Sequence, residues 1–144
     1  MLWLTRYRAD LTMSLITSVT DLIRAAYAKD EQCVALLRAL GSEEFKDSDI
    51  ELSARLRARL HRYSIHNFLL CYRTSIEDNF RIAVSHDEEL KYRILYEAHD
   101  TALSDHLGRE KTYISVSQAF WWRKLYNWVS NYVHTCETRQ RVKP

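Results

Sequence analysis

Two glycines, Gly41 and Gly108, and a single proline, Pro144, are all the turn-forming residues of those types in 144 positions. Sandwiches and barrels reverse direction every few residues and lean on glycine and proline to do so. A chain this poor in both is therefore expected to fold mainly as helices. Apolar residues make up 47% of it, enough to build the core of one domain or of two small units that share one.

The helices can be placed by their apolar stripes. "DLTMSLITSVTDLIRAAYA" carries Leu11, Leu15, Val19, Leu22, Ile23 and Ala26 at helical spacing, which predicts a helix over 11–28. Asp30 is suited to cap a second helix with Cys33, Leu36, Leu37 and Leu40 inward, and Gly41 to end it in the left-handed region. Ser48 and Glu51 have capping-box spacing for a third helix through "IELSARLRARL". The period then changes. "RYSIHNFLLCYR" and "RIAVS" are short and rich in aromatic and β-branched residues, so residues 62–85 are expected to form a small antiparallel meander with Cys71 in its middle strand.

Beyond it, Ser85 and Glu88 suggest a cap for a helix over 87–99, with Leu90, Ile94, Leu95 and Ala98 as its stripe. Gly108 opens another helix through "REKTYISVSQAF", with Tyr113, Val116 and Phe120 inward. A last one places Leu125, Trp128, Val129, Tyr132 and Cys136 on one face. The expected fold class is mainly α with a small antiparallel β meander and a three-helix module at the C-terminal end. Three segments follow: 1–45, amphipathic helices; 46–85, helix plus meander; and 86–144, the module.

Three cysteines form no paired framework, and no apolar run approaches the roughly 20 residues needed to cross a bilayer, so an intracellular protein of nucleus or cytoplasm without a membrane partner is expected. Charge is uneven: residues 1–106 carry 14 basic and 17 acidic side chains, whereas 107–144 carry 7 and 2. A polyanion would be drawn to the latter. Arg109, Lys111, Arg141 and Lys143 are the candidate phosphate contacts. Trp121, Trp122, Trp128 and Tyr132 could stack on bases, but their helical spacing reads first as core. His61, His66 and His86 have no ligand spacing and are expected at the surface.

His99 and His106, with Cys136 thirty positions later, have residue types and order suited to a tetrahedral zinc ion, which takes imidazole nitrogen and thiolate sulfur. Three ligands are not four. Catalytic zinc is not expected, because no H-E-x-x-H spacing supplies a general base.

The stretch "HDEELKYRILYEAHDTALSDHLGREKTYISVSQAFWWRKLYNWVSNYVHTCETRQRVKP", residues 86–144, resembles the His-His-Cys-Cys zinc-binding module at the start of integrases in gypsy-class retrotransposon polyproteins. "YEAHD", "DHLGREKT", "FWW" and "YVHTCETRQRVKP" carry the likeness in order, and "ARLRARLHRYSIHNFLLCYR" is similar to the segment that precedes the module. The resemblance implies a three-helix zinc module that helps integrase multimerise and engage DNA ends. Catalysis would belong to a downstream core with three metal-binding carboxylates, so no enzyme activity and no small-molecule substrate are expected of this chain.

By position, His99, His106 and Cys136 fill three ligand slots and Arg139 stands in the fourth. Arginine has no lone pair to offer and stays cationic. Zinc is therefore expected to be weak or lost. His134 is a substitute ligand to consider, although a two-residue offset reverses its direction on extended backbone, and water could fill the open corner instead. Arg123 stands where the resemblance leads one to expect proline, and Asn67 and Phe68 where it leads one to expect a hairpin glycine. Such lapses suggest a degenerate copy with residual DNA binding or self-association. The alternative is a metal-free helical interaction module or a non-functional relic.

Overall fold

Helix α1 brings Val19, Ile23 and Ala26 into the core as the stripe predicts, but Tyr27 takes the inward place expected of Leu22, which is 43% exposed. The computed structural model describes residues 19–99 and 108–142, with side chains as far as Cys136. Helix α1 is seen through 19–27, and the expected start at 11 lies outside the described residues. Asp30 caps α2 (Glu31–Ala39) by accepting from the backbone N–H groups of Gln32 and Cys33. Gly41 takes φ +91 beyond its end, as the left-handed exit requires.

The third helix differs from expectation. It is the short α3 (Ala54–Ala58) followed by a 3-10 turn (Leu60–Arg62), and its cap is Ser53, which accepts from Leu56 N. Ser48 instead folds back on Ile50 N. The backbone between them is held off helical geometry by Gln32 on α2, whose side chain accepts from Ser53 N and donates to Glu51 O.

Strands β1 (Tyr63–His66), β2 (Leu69–Tyr72) and β3 (Arg81–Ala83) make the expected antiparallel meander. A fourth strand, β4 (Phe120–Trp121), pairs in parallel with β3, so the sheet is mixed, ordered β1-β2-β3-β4. This corrects both the purely antiparallel sheet and the helix expected to run through Phe120. Two residues are too few to show a strand period, and the pairing depends on a crossover made by two helices.

Those helices are α4 (Glu88–His99) and α5 (Arg109–Ser117), and α6 (Leu125–Val142) follows β4. Asp87 caps α4, accepting from Leu90 N at 3.1 Å. Ser85, the expected cap, is buried with its hydroxyl unpartnered among the described residues. Asp30 reaches this junction too, accepting from His86 N at 2.9 Å. One hydrophobic cluster joins Val19 on α1, the sheet, and Val133 on α6. At its centre the Tyr27 hydroxyl donates to Ala83 O and accepts from Leu70 N, tying α1 to two strands. No helix among the described residues is long and apolar enough to cross a membrane.

The β1–β2 turn carries a testable strain. Asn67 and Phe68 have φ of 55° and 61°, the positive values that a two-residue primed turn demands at both positions. Asparagine tolerates them; phenylalanine does not, and the side chain of Phe68 is 78% exposed and recovers little by packing. Phe68→Gly is expected to stabilise the protein by about 1 kcal/mol, raising Tm by about 3 °C in a melt.

Candidate metal centre and nucleic-acid interface

Helices α4, α5 and α6 pack against one another, and that places His99, at the end of α4, inside the protein at 2% exposure. Its Nδ1 lies 3.1 Å from the hydroxyl of Thr112 on α5, a residue with no exposed surface. Its ring stands edge-on to Tyr132 of α6, with centroids 5.8 Å apart. Zinc-binding histidines are commonly oriented this way, one ring nitrogen engaged by a neighbouring oxygen so that the other is aimed at the metal. Thr112 thus engages Nδ1 of His99.

Tyr132 and Cys136 are four residues apart on α6 and share a face. Cys136 is only 6% exposed, so His99 packs against the helix face that carries the thiol. The other two cysteines behave as core: burial pushes the Cys71 thiol up to about 11 and that of Cys33 higher still. Both thiols are buried among core residues.

His106 lies outside the described residues, and among the described residues no group of three histidine, cysteine or acidic side chains forms a metal cage. Helix α6 continues through position 139. His134 is exposed while Cys136 is buried. A two-residue step in a helix turns by about 200°, which carries the imidazole away from the thiol.

Arg109 and Lys111 are exposed at the start of α5. Together with His134 they line a shallow hollow of about 430 Å³ between α5 and α6. Arg109 donates to Ser130 of α6 at 3.1 Å. Glu110, the acid between them, accepts instead from the Tyr126 hydroxyl at 2.6 Å. The side chains of Arg141 and Lys143 lie outside the described residues. The aromatic residues are mostly packing: Trp122 is buried, Trp121 stacks on Tyr72 with centroids 3.7 Å apart, and Trp128 and Tyr132 lie against the core. His61, His66 and His86 are exposed, as expected.

Residues 86–144 match the integrase zinc binding domain. The match covers less than half of the chain and contains α4, α5, β4 and α6. No curated protein and no solved structure matches the chain. The inward histidine, the buried thiol and the three packed helices all lie within this matched segment.

Two residues of this segment carry no clear sequence signal. Thr112 is thirteen positions from His99, and nothing local marks a hydroxyl as the partner of a distant imidazole. Lys91 is buried on α4; its spacing from Ile94 and Leu95 puts it on the apolar stripe, but lysine is ordinarily read as solvated.

Proposed function

We propose that the chain is a non-catalytic part of a gypsy-class retrotransposon polyprotein whose integrase zinc-binding domain has lost one ligand. His99, His106 and Cys136 would hold the ion, with Arg139 leaving the fourth corner unfilled, so that zinc is bound weakly or not at all. His134, on the other side of α6, does not replace the missing donor in this reading. The domain keeps a role in nucleic-acid binding and self-association, in nucleus or cytoplasm. The observation that most supports it is the buried His99, oriented by Thr112 and packed on the Cys136 face of α6: the frame of a zinc site persists around an incomplete ligand set.

The nucleic-acid surface is assigned to Arg109 and Lys111, with Arg141 and Lys143 beyond them in sequence. Arg109 and Lys111 sit in the first turn of α5, whose cap, Gly108, supplies no side-chain acceptor. Backbone N–H groups at such an end favour phosphate. In fluorescence anisotropy with a duplex oligonucleotide, binding is expected to weaken as salt rises. The double variant Arg109→Ala, Lys111→Ala should flatten the plot of log affinity against log salt by about 2, near 0.9 for each lost contact. Binding that is absent, or indifferent to salt, would remove the nucleic-acid role.

A further inference from the structure

A cleft of about 260 Å³ opens on the side of the molecule where α2, the Ser53–Arg59 segment, the sheet and the start of α4 meet. It uses none of the proposed zinc ligands and none of the α5 cations. Lys91, Arg55, Arg59 and Arg123 all line it, against one carboxylate, Asp30. That carboxylate is occupied: one oxygen accepts from Gln32 N and Cys33 N, the other from His86 N. None of the four cations enters an ion pair among the described residues.

Lys91 is the decisive member. It is 5% exposed, and its ammonium lies 4.8 Å from the Trp128 ring centroid and 5.8 Å from that of Trp122. Ring faces attract a cation but do not neutralise it. Burial pushes the Lys91 pKa down, and Glu88, Asp30 and Asp87 only partly oppose that. Trp122, on the same wall, buries an indole N–H with no acceptor among the described residues. The exposed arginines stand at the mouth, and Tyr63 and Trp121 also line the wall, their rings at 73° to each other and one face of Trp121 already stacked on Tyr72.

We propose that this cleft binds a phosphate ester carrying a flat ring, in the size class of a single nucleotide. The phosphate is held by Lys91 with the three arginines, and the base lies against Trp121, the less buried of the two rings. The volume sits just below the usual range of about 300–1,000 Å³ for ligand pockets, which suits one nucleotide rather than two. Such a group is available as a free nucleotide or as an unpaired end of a nucleic-acid strand.

Tryptophan fluorescence titration of the full chain separates these sources. Adenosine monophosphate, a short single-stranded oligonucleotide and inorganic phosphate serve as probes. Saturable quenching by the nucleotide is expected, with phosphate alone binding at least about tenfold more weakly because it lacks the stacking ring. An oligonucleotide that binds more tightly than the nucleotide assigns the strand end as the source; equal or weaker binding assigns the free nucleotide.

Lys91→Met, which keeps the stem and removes the charge, should weaken nucleotide binding about tenfold or more. Arg123→Ala, at the exposed mouth, should weaken it less. The Arg109→Ala, Lys111→Ala pair should leave it unchanged, so that failure of the α5 surface and failure of this cleft give different results. No quenching by any probe would overturn the proposal. So would equal affinity for phosphate and nucleotide, an acidic peptide competing as well as the nucleotide, or undiminished binding by both Lys91→Met and Arg123→Ala.

Discussion

Replacing Arg139 with cysteine is expected to raise bound zinc from well below one ion per chain to about one, and to add stability that a chelator removes. The physical case begins with the helix. Because α6 runs on through position 139, a cysteine there shares a face with Cys136, three residues before it. Two thiolates at that spacing can meet one ion at the usual Zn–S length of about 2.3 Å.

The substitution acts twice, adding a donor and removing a cation that repels the ion. A complete structural site contributes roughly 10 to 16 kcal/mol of apparent binding energy, comparable to the roughly 5 to 15 kcal/mol by which whole domains are stable. Recovering even part of that would move Tm by many degrees. Metal content by atomic emission and thermal melts with and without chelator measure it directly. Stoichiometric zinc of equal affinity in the unsubstituted chain would show that the site is not broken.

Much of this frame can be read in the sequence because it is set by neighbours. Asp30 and Gly41 bracket α2 as their chemistry dictates, and Leu90, Ile94, Leu95 and Ala98 are buried as their spacing requires. What escapes is fixed at long range. Serine-to-glutamate spacing occurs at both Ser48 and Ser85, yet the caps used are Ser53 and Asp87. Gln32 holds the Glu51–Ser53 backbone, and Asp30 holds His86 N, each from another helix. The inward placement of His99 and Cys136 follows from the helical stripes that carry them, whereas the Thr112 hydroxyl beside His99 has no local signal. Lys91 was hidden for a different reason: its position fits the buried stripe while its charge argues for solvent, and spacing alone does not say which prevails.

Phe120→Ala is expected to destabilise the whole described fold by about 3–5 kcal/mol, the usual effect of emptying a phenylalanine site in a core. Phe120 has no exposed surface and pairs with Ile82 in the parallel β3–β4 ladder, while its neighbour Trp121 stacks on Tyr72 of β2. The 86–144 segment therefore lends a strand to a sheet built from residues that precede it. Ile82 N donates to Ala119 O at 2.8 Å and Val84 N to Trp121 O at 2.9 Å, so losing β4 would also strip β3 of partners. Two probes of urea unfolding test the consequence. Tryptophan fluorescence reports largely on Trp121, Trp122 and Trp128, and far-ultraviolet circular dichroism on helices throughout the chain. If the sheet couples the 46–85 and 86–144 segments, both transitions coincide in the natural chain and both shift together in Phe120→Ala. A fluorescence transition that moves alone would mean that 86–144 unfolds as a separate unit, with the β3–β4 ladder too weak to join it to the rest.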